Sequence, residues 1–427
     1  MIRLVESTDC SVEKIIKKEY QEQAVYEERV QEILMNVRDR GDEALIEYTS
    51  RFDKANLTPE TMRVSPGEID EAYKQVDDAF VKAIRKARDN IAAFHGKQLH
   101  QSWLETSEDG TILGQLLRPL ERAGIYVPGG TANYPSSVLM NAVPAQVAGV
   151  KEIVMVAPPH ADGSLQASTL VAAAEAGVTE IYKLGGAQAV AALAYGTETI
   201  NKVDLITGPG NIYVTLAKKM VYGLVNIDML AGPSEILVIA DEKADPVYVA
   251  ADLLSQAEHD ILASAILLTP SRSLATEVQK EIVRQVGYLS RKEIMTASLR
   301  DYSAIIITRD MEEALDLANR YAPEHLELAV EAPFELLGKI KNAGAIFMGH
   351  FTPEPVGDYI AGPNHILPTG GTARFYSPLN VDTFMKKSSI ISYSPDRLRE
   401  HGDDIIKLAE TEGLDAHANA VRVRMSR

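Results

Sequence analysis

The stretch RAGIYVPGGTANYPSSVLMNAVPAQVAGVKEIVMVAPP (122–159) decides the fold. A short apolar run ends in a Gly-Gly turn. Pro135 and Ser136-Ser137 then open a helical stretch, and a second apolar run follows. The rhythm continues through EIYKLGG (180–186) and DLITGPGN (204–211), separated by STLVAAAEAG (168–177) and AQAVAALAYG (187–196). Each Ala-rich segment closes on a glycine where a helix C-cap requires one. Near-continuous apolar strands alternating with helices predict a parallel sheet buried on both faces, joined by right-handed crossovers.

A second series follows. EILVIAD (235–241) leads into a helix opened by Asp245-Pro246, and ASAILLTP (263–270), SAIIITRD (303–310), HLELAV (325–330) and GAIFMG (344–349) recur between helical segments. Two α/β units therefore stand in tandem. Residues 1–100 read as helical, and the part beyond about residue 385 is polar and reads as helical too. Between them, FTPEPVGDYIAGPNHILPTGGTARFYSPLN (351–380) is dense in Gly and Pro, and loops of that length in a compact enzyme are usually functional.

At 427 residues the chain exceeds what one hydrophobic core supports, so two or three domains are expected. Its 46% hydrophobic and 24% charged residues are globular averages, with no apolar run of membrane-spanning length. The N-terminus shows no apolar core of a secretory signal, which predicts a cytoplasmic protein. A formal net charge of -17 argues against nucleic acid or an anionic membrane as partner and favours a small molecule. Cys10 is the single cysteine, so any metal must use His, carboxylate or amide ligands.

Chemistry-bearing residues gather in a few places. Gly208-Pro-Gly210-Asn211-Ile-Tyr213 follows a predicted strand like a dinucleotide turn, but tyrosine stands where the third glycine belongs, and a simple tight turn explains it equally well. The Gly-Gly turn before Pro135 has the geometry that binds anions through backbone N–H groups. Gln256 and His259, three apart on a predicted helix, could share a cation or simply form a solvated helix end. Glu324 and His325 lie between a proline and a strand, at the mouth of an α/β unit. Glu354, Asp358 and His365 fall in the glycine-rich stretch, where turn chemistry is the plainer reading. Glu412 precedes a helix carrying His417, near the C-terminus, where surface position is the plainer reading. Ser234 has no glycine elbow, and metalloprotease patterns are absent.

Together these segments resemble the histidinol dehydrogenase family over nearly the whole chain. The resemblance is carried in order by RAGIYVPGGTANYPSSVLMNAVPAQVAGV, GGAQAVAALAYGT, GPGNIYV, DMLAGPSEILVIAD, ADLLSQAEHD, APEHLEL, GHFTPEPVGDYIAGPNHILPTGGTARF and EGLDAHANAVRVR. It implies two tandem incomplete Rossmann-like domains with parallel sheets, plus helical N- and C-terminal extensions. The implied division is a helical extension over 1–25, a discontinuous α/β domain over 26–116 and 232–380, an NAD-binding domain over 117–231 and a helical tail over 381–427. The implied activity is oxidation of L-histidinol to L-histidine in two NAD-dependent steps of histidine biosynthesis, by a homodimer with one Zn2+ per site.

Carried over by position, the implied zinc ligands are Gln256, His259, Asp358 and His417, with His417 and Glu412 coming from the other subunit. Glu324 and His325 match the catalytic pair. Ser234, Gln256, His259, His325, Asp358, Glu412 and His417 match substrate contacts, with Glu354 and His365 as further pocket walls. Tyr126, Gln188 and Asn211 match cofactor positions. The rivals are a paralogous dehydrogenase of another small polyol, such as a sulfonated diol, and, from another class, a zinc hydrolase or a binding protein descended from the enzyme.

Overall fold

A computed structural model describes residues 2–17, 24–129 and 134–426. The turn at 130–133, which the sequence marks as an anion cradle, lies outside the described residues. The chain forms two compact units, one of residues up to 98 together with 120–384, the other of 99–119 together with the part from 385 onward.

In chain order the strands are β1 Arg3–Glu6, β2 Trp103–Thr106, β3 Ile112–Pro119, β4 Arg122–Tyr126, β5 Glu152–Ala157, β6 Glu180–Lys183 and β7 Leu205–Thr207. They continue with β8 Asn226–Ile227, β9 Glu235–Ala240, β10 Ser264–Thr269, β11 Ala304–Ile307, β12 His325–Ala329, β13 Ala345–Met348 and β14 Met385–Ser392.

The first unit holds two all-parallel sheets, ordered β6-β5-β4-β7-β8 and β1-β11-β10-β9-β12-β13. Within each series the order is third, second, first, fourth, fifth. That is the doubly wound order without its sixth strand, with a switch point between β4 and β7 and another between β9 and β12. Every residue of β4, β9 and β12 is buried, as two-sided burial of a central parallel strand demands.

The N-terminal stretch is not wholly helical. Arg3–Glu6 pairs in parallel with β11 as an edge strand, because Ile305 and Ile307 offer a sheet edge that local propensity does not reveal. The helices over 24–62 share a core with the five-stranded sheet: Val30, Leu34, Leu45 and Tyr48 pack with Tyr126, Val154, Ala189 and Leu193. These contacts place that stretch with the first α/β series, whereas the sequence division groups residues 26–116 with the second.

The second unit is an antiparallel sheet, β14-β3-β2, with the helices Pro395–Thr411 and Asp415–Met425 packed on each other. A Cβ at Gly402 would collide with Met425 Sδ, so glycine permits that close crossing. The helical reading of the tail is therefore corrected at its start: Met385–Ser392 is a strand whose whole length pairs with β3.

Candidate active site

Strand β12 carries the first anomaly. A central parallel strand should be apolar on both faces, yet HLELA places His325 and Glu327 on one face while Leu326 and Leu328 enter the core on the other. Ala322, with φ 50, leads the chain into Pro323, Glu324 and His325, and a left-handed alanine is a strained conformation of the kind found at functional sites. Glu235, first residue of neighbouring β9, fixes both members of the pair. Its N–H donates to Glu324 Oε2 at 2.8 Å, and its carbonyl O lies 3.0 Å from His325 Nδ1. A carbonyl accepts only, so Nδ1 carries the hydrogen and a neutral His325 has its lone pair on Nε2.

That Nε2 is buried without a hydrogen-bond partner and faces Glu354 Oε1 at 3.8 Å and Asp358 Oδ1 at 3.7 Å. The two carboxylates come from Glu354–Tyr359, which is a short helix and not a loop, so Glu354 and Asp358 stand four apart on one face. Ser255 Oγ donates to Glu354 Oε2, and the Glu354 N–H donates to Glu327 Oε1. His365 completes this side: its Nδ1 lies 3.0 Å from the Asp358 carbonyl O and its Nε2 3.3 Å from Ser137 Oγ.

Gln256 closes the buried face of the helix Pro246–Ala257. His259 lies just beyond that helix, in the following turn, yet its Nδ1 still meets Gln256 Nε2 at 3.2 Å. Gln256 Oε1 is left buried and unpartnered. Ser234 directly precedes Glu235 and is half-buried.

The charges of this cluster are set by burial and by each other. Burial pushes the Glu324 carboxyl up to about 8, and the Glu354 carboxyl up to about 7. Burial opposes ionisation of Asp358 as well, but His325, His365 and His259 outweigh it and hold that carboxyl down at about 2. Burial also lowers His259 and His365, keeping both imidazoles neutral. On His325 burial is overcome by the carboxylates of Glu324, Glu354 and Asp358, which hold its pKa well above the ordinary value.

One ionised carboxylate, neutral imidazoles and orphaned oxygens on Gln256 and Glu354 are the donor set of a divalent cation site. Ligand atoms of His325, Glu354 and Asp358 lie within 4.8 Å of one another. Only Asp358 is common to this trio and to the ligand set implied by the resemblance. Glu412 and His417 belong to the second unit, where both are exposed.

Tyr126, Gln188 and Asn211 gather at the carboxyl edge of the five-stranded sheet. The Tyr126 hydroxyl accepts the N–H of Gly186, first residue of the helix bearing Gln188, whose Oε1 is buried and unpartnered. Asn211 caps the helix Ile212–Val221 through Tyr213 N and Val214 N. Gly208, with φ 108, passes so close to Tyr126 that a Cβ would strike its carbonyl O. Beneath the turn, Lys218 Nζ donates to Gly208 O and to Asp228, and Asp228 accepts the Gly208 N–H. The Tyr213 ring packs edge-on against Tyr26.

The helix Pro135–Ala148, which follows β4, meets the other centre through Ser137 at His365 and through Met140 O at Asn364. Glu235 and the His325 cluster stand at the amino edge of the six-stranded sheet, not at the carboxyl edge where such folds usually bind ligands. The residues that sequence reasoning missed are Glu235, Glu327, Ser137 and Ser255. An acid opening EILVIA and another inside HLEL were the available signals for the first two; Ser137 was read only as part of the helix opening after the Gly-Gly turn, and Ser255 gave no signal.

This fold and site define an α/β protein whose dinucleotide-type turn in one sheet adjoins a buried acid–base cluster in the other. The histidinol dehydrogenase family model matches residues 16–425. The chain belongs to the histidinol dehydrogenase family. It is 61% identical to the histidinol dehydrogenase of Heliobacterium mobile over 427 residues, covering 100% of both chains, and 55% identical to that of Clostridium acetobutylicum, covering 99% of both. The crystal structure of histidinol dehydrogenase from Elizabethkingia anophelis superimposes with a TM-score of 0.94 at 41% identity, covering 100% of this chain and 98% of that one. The chain is accordingly an oxidoreductase of histidine biosynthesis. A dehydrogenase of another polyol finds no support in these relatives. Among the described residues no helix is long and apolar enough to cross a membrane.

Proposed function

We propose that this chain oxidises L-histidinol to L-histidine through the aldehyde, in the cytoplasm, using two NAD+ in succession and one zinc ion per site, as a homodimer. The observation that carries the reading is the fixed His325 tautomer, which directs Nε2 into a cluster of carboxylates beside the Gln256 and His259 side chains.

In the first oxidation His325 Nε2 takes the alcohol proton of the bound substrate. Nδ1 stays bonded to the Glu235 carbonyl, so the ring keeps its orientation through both protonation states. Tyr126, Gln188 and Asn211 would hold the nicotinamide dinucleotide, which would supply the hydride acceptor. Zinc, when held by Gln256, His259, Asp358 and the partner subunit's His417, supplies a positive charge that orients the substrate's imidazole and amine and offsets the carboxylate field on His325.

Glu324 then positions and deprotonates the water that hydrates the aldehyde. A carboxyl raised to about 8 is a strong enough base for that step once ionised. As that water adds, the proton held on His325 Nε2 passes to the former carbonyl oxygen, which returns the ring to its neutral form, and His325 then removes the hydrate's proton in the second oxidation. Ser234, Glu354, His365 and the partner subunit's Glu412 wall the pocket, and burial keeps bulk water from the aldehyde.

The test is stoichiometric: purified protein with L-histidinol and NAD+ should form two NADH per substrate consumed. One NADH with released aldehyde, or no turnover, refutes the reading.

A further inference from the structure

The cofactor residues named so far leave one question open, which is what selects one dinucleotide over its phosphorylated form. In doubly wound sheets a carboxylate at the end of the second strand accepts the adenosine ribose hydroxyls. Here that strand is β5, and it runs out into Ala157-Pro158-Pro159. The nearest acid beyond it, Asp162, is exposed and bonded to Ser164 N and Oγ. The usual source of selection is missing from the sheet.

A carboxylate reaches the same edge from the helical layer. Asp53 caps the helix Asp42–Phe52, its N–H bonded to Thr49 O. On either side of it Tyr48, Ala55 and Leu57 enter the core cluster that contains Tyr126, Leu184 and Ala187. The Asp53 carboxylate acts electrostatically on the Tyr126 phenol, and that phenol accepts the N–H of Gly186. Asp53 thus borders the ring of residues already assigned to the cofactor.

Its own environment is unfinished. Asp53 Oδ2 is buried without a hydrogen-bond partner, and burial pushes the carboxyl up to about 6 with no cation opposing it. Other acids of the same helix are compensated: Glu43 and Glu47 both meet Arg40. The adjacent Lys54 turns its ammonium onto Arg51 O. Lys54 also has φ 62, and among the described residues it and Ala322 are the two non-glycines with positive φ. Ala322 precedes the Glu324-His325 pair by two residues, and Lys54 directly follows Asp53, so each strained position adjoins a buried ionisable group.

We propose that Asp53 is the specificity-determining residue of the cofactor crevice, accepting the vicinal hydroxyls of the adenosine ribose of NAD and repelling the 2′-phosphate of NADP. An ionised carboxylate is an acceptor only, so it suits a diol and opposes a phosphate. The inference rests on the proposed placement of NAD at Tyr126, Gln188 and Asn211.

The experiment compares kcat/KM for NAD and for NADP in the wild type, Asp53→Asn, Asp53→Ser and Asp53→Glu, with metal content and the KM for histidinol measured alongside. Losing a hydrogen bond to a charged acceptor should lower kcat/KM for NAD by about 10- to 100-fold in the Asn and Ser variants. Their NAD-to-NADP ratio should fall by at least about 10-fold, while Glu retains the wild-type preference and metal content stays constant. A general loss of fold would depress both cofactors equally and leave the ratio in place, which overturns the proposal. Asn211→Ser, which keeps a helix cap but removes the amide, separates the two levels of inference. If it weakens NAD while the Asp53 variants keep the wild-type ratio, only the Asp53 assignment fails. If neither position affects NAD, the placement of the cofactor fails with it.

Discussion

Replacing His325 with Asn isolates the proton-transfer role from the architecture. The imidazole makes one defined bond, Nδ1 to Glu235 O at 3.0 Å, and an asparagine amide can donate to the same carbonyl. The lost packing against Phe347 should cost about 1–2 kcal/mol, too little to unfold a domain of ordinary stability. What asparagine cannot supply is a base at the position of Nε2, which faces Glu354 and Asp358 at 3.7–3.8 Å. A positioned general base contributes roughly 10²- to 10⁴-fold, or about 3–5 kcal/mol of barrier. The variant should therefore lose kcat by that factor in both half-reactions, assayed separately from histidinol and from the aldehyde. Metal content by mass spectrometry should remain at the wild-type level, since none of the proposed ligands is touched. A kcat within about tenfold of wild type in either half-reaction would refute the assignment of His325 as the base of that step.

Glu324→Gln should slow aldehyde oxidation more than alcohol oxidation, because only the second half-reaction consumes water; equal slowing of the two removes the water-activating role. His417→Asn should weaken metal retention against a chelator, and dimers mixed from His417→Asn and His325→Asn chains should regain activity absent from either parent. No recovery would mean that each subunit builds its own site. Asp53 supplies a pH test of stability. Its folded-state pKa is raised from 3.8 to about 6, so its contribution is fully present below the ordinary carboxylate range and lost as pH rises through about 6. Asp53→Asn escapes that loss, and by differential scanning calorimetry the variant should melt above the wild type at about pH 8, with the gap closing toward about pH 4. A constant gap across that range would contradict the buried, uncompensated carboxylate.

Both parallel sheets were legible because their central strands are buried on two faces and so read as uninterrupted apolar runs in EIVMVA, EILVIAD and SAIIIT. Edge elements were not. Arg3–Glu6 and Met385–Ser392 mix charge with short apolar stretches, and each becomes a strand only through a partner distant in sequence, β11 for one and β3 for the other. Amphipathic helices likewise announce that they cover a sheet, but Val30 and Tyr48 carry no mark of which sheet they cover. Tyr213 in place of the third glycine is accommodated by Tyr26, again a contact between segments far apart.

The site was legible as a set of residue types and obscure as a geometry. His259 and Gln256 meet although the helix stops between them, and Glu354 and Asp358 share a face because a stretch that reads as loop is one turn and a half of helix. The amino-end position of His325 was legible, since it opens HLELAV directly after Pro323 and Glu324; what the strand did not show is that Glu235, Glu354 and Asp358 gather around it there. Yet a physical regularity connects both centres. Gln188 Oε1, Gln256 Oε1, His325 Nε2, Glu354 Oε1 and Asp53 Oδ2 are all buried and unpartnered, and Lys54 and Ala322 hold strained backbone beside two of them. Each such atom costs about 1–3 kcal/mol of stability if nothing meets it. Buried unpartnered atoms occur elsewhere in the fold too, His95 Nε2 and Asn141 Oδ1 among them, but these five face the two centres, where the proposed substrate, cation and dinucleotide would meet them. On that argument the fully loaded enzyme should be markedly more stable than the ligand-free chain, with contributions from the two sheets that are separable by adding dinucleotide and metal one at a time.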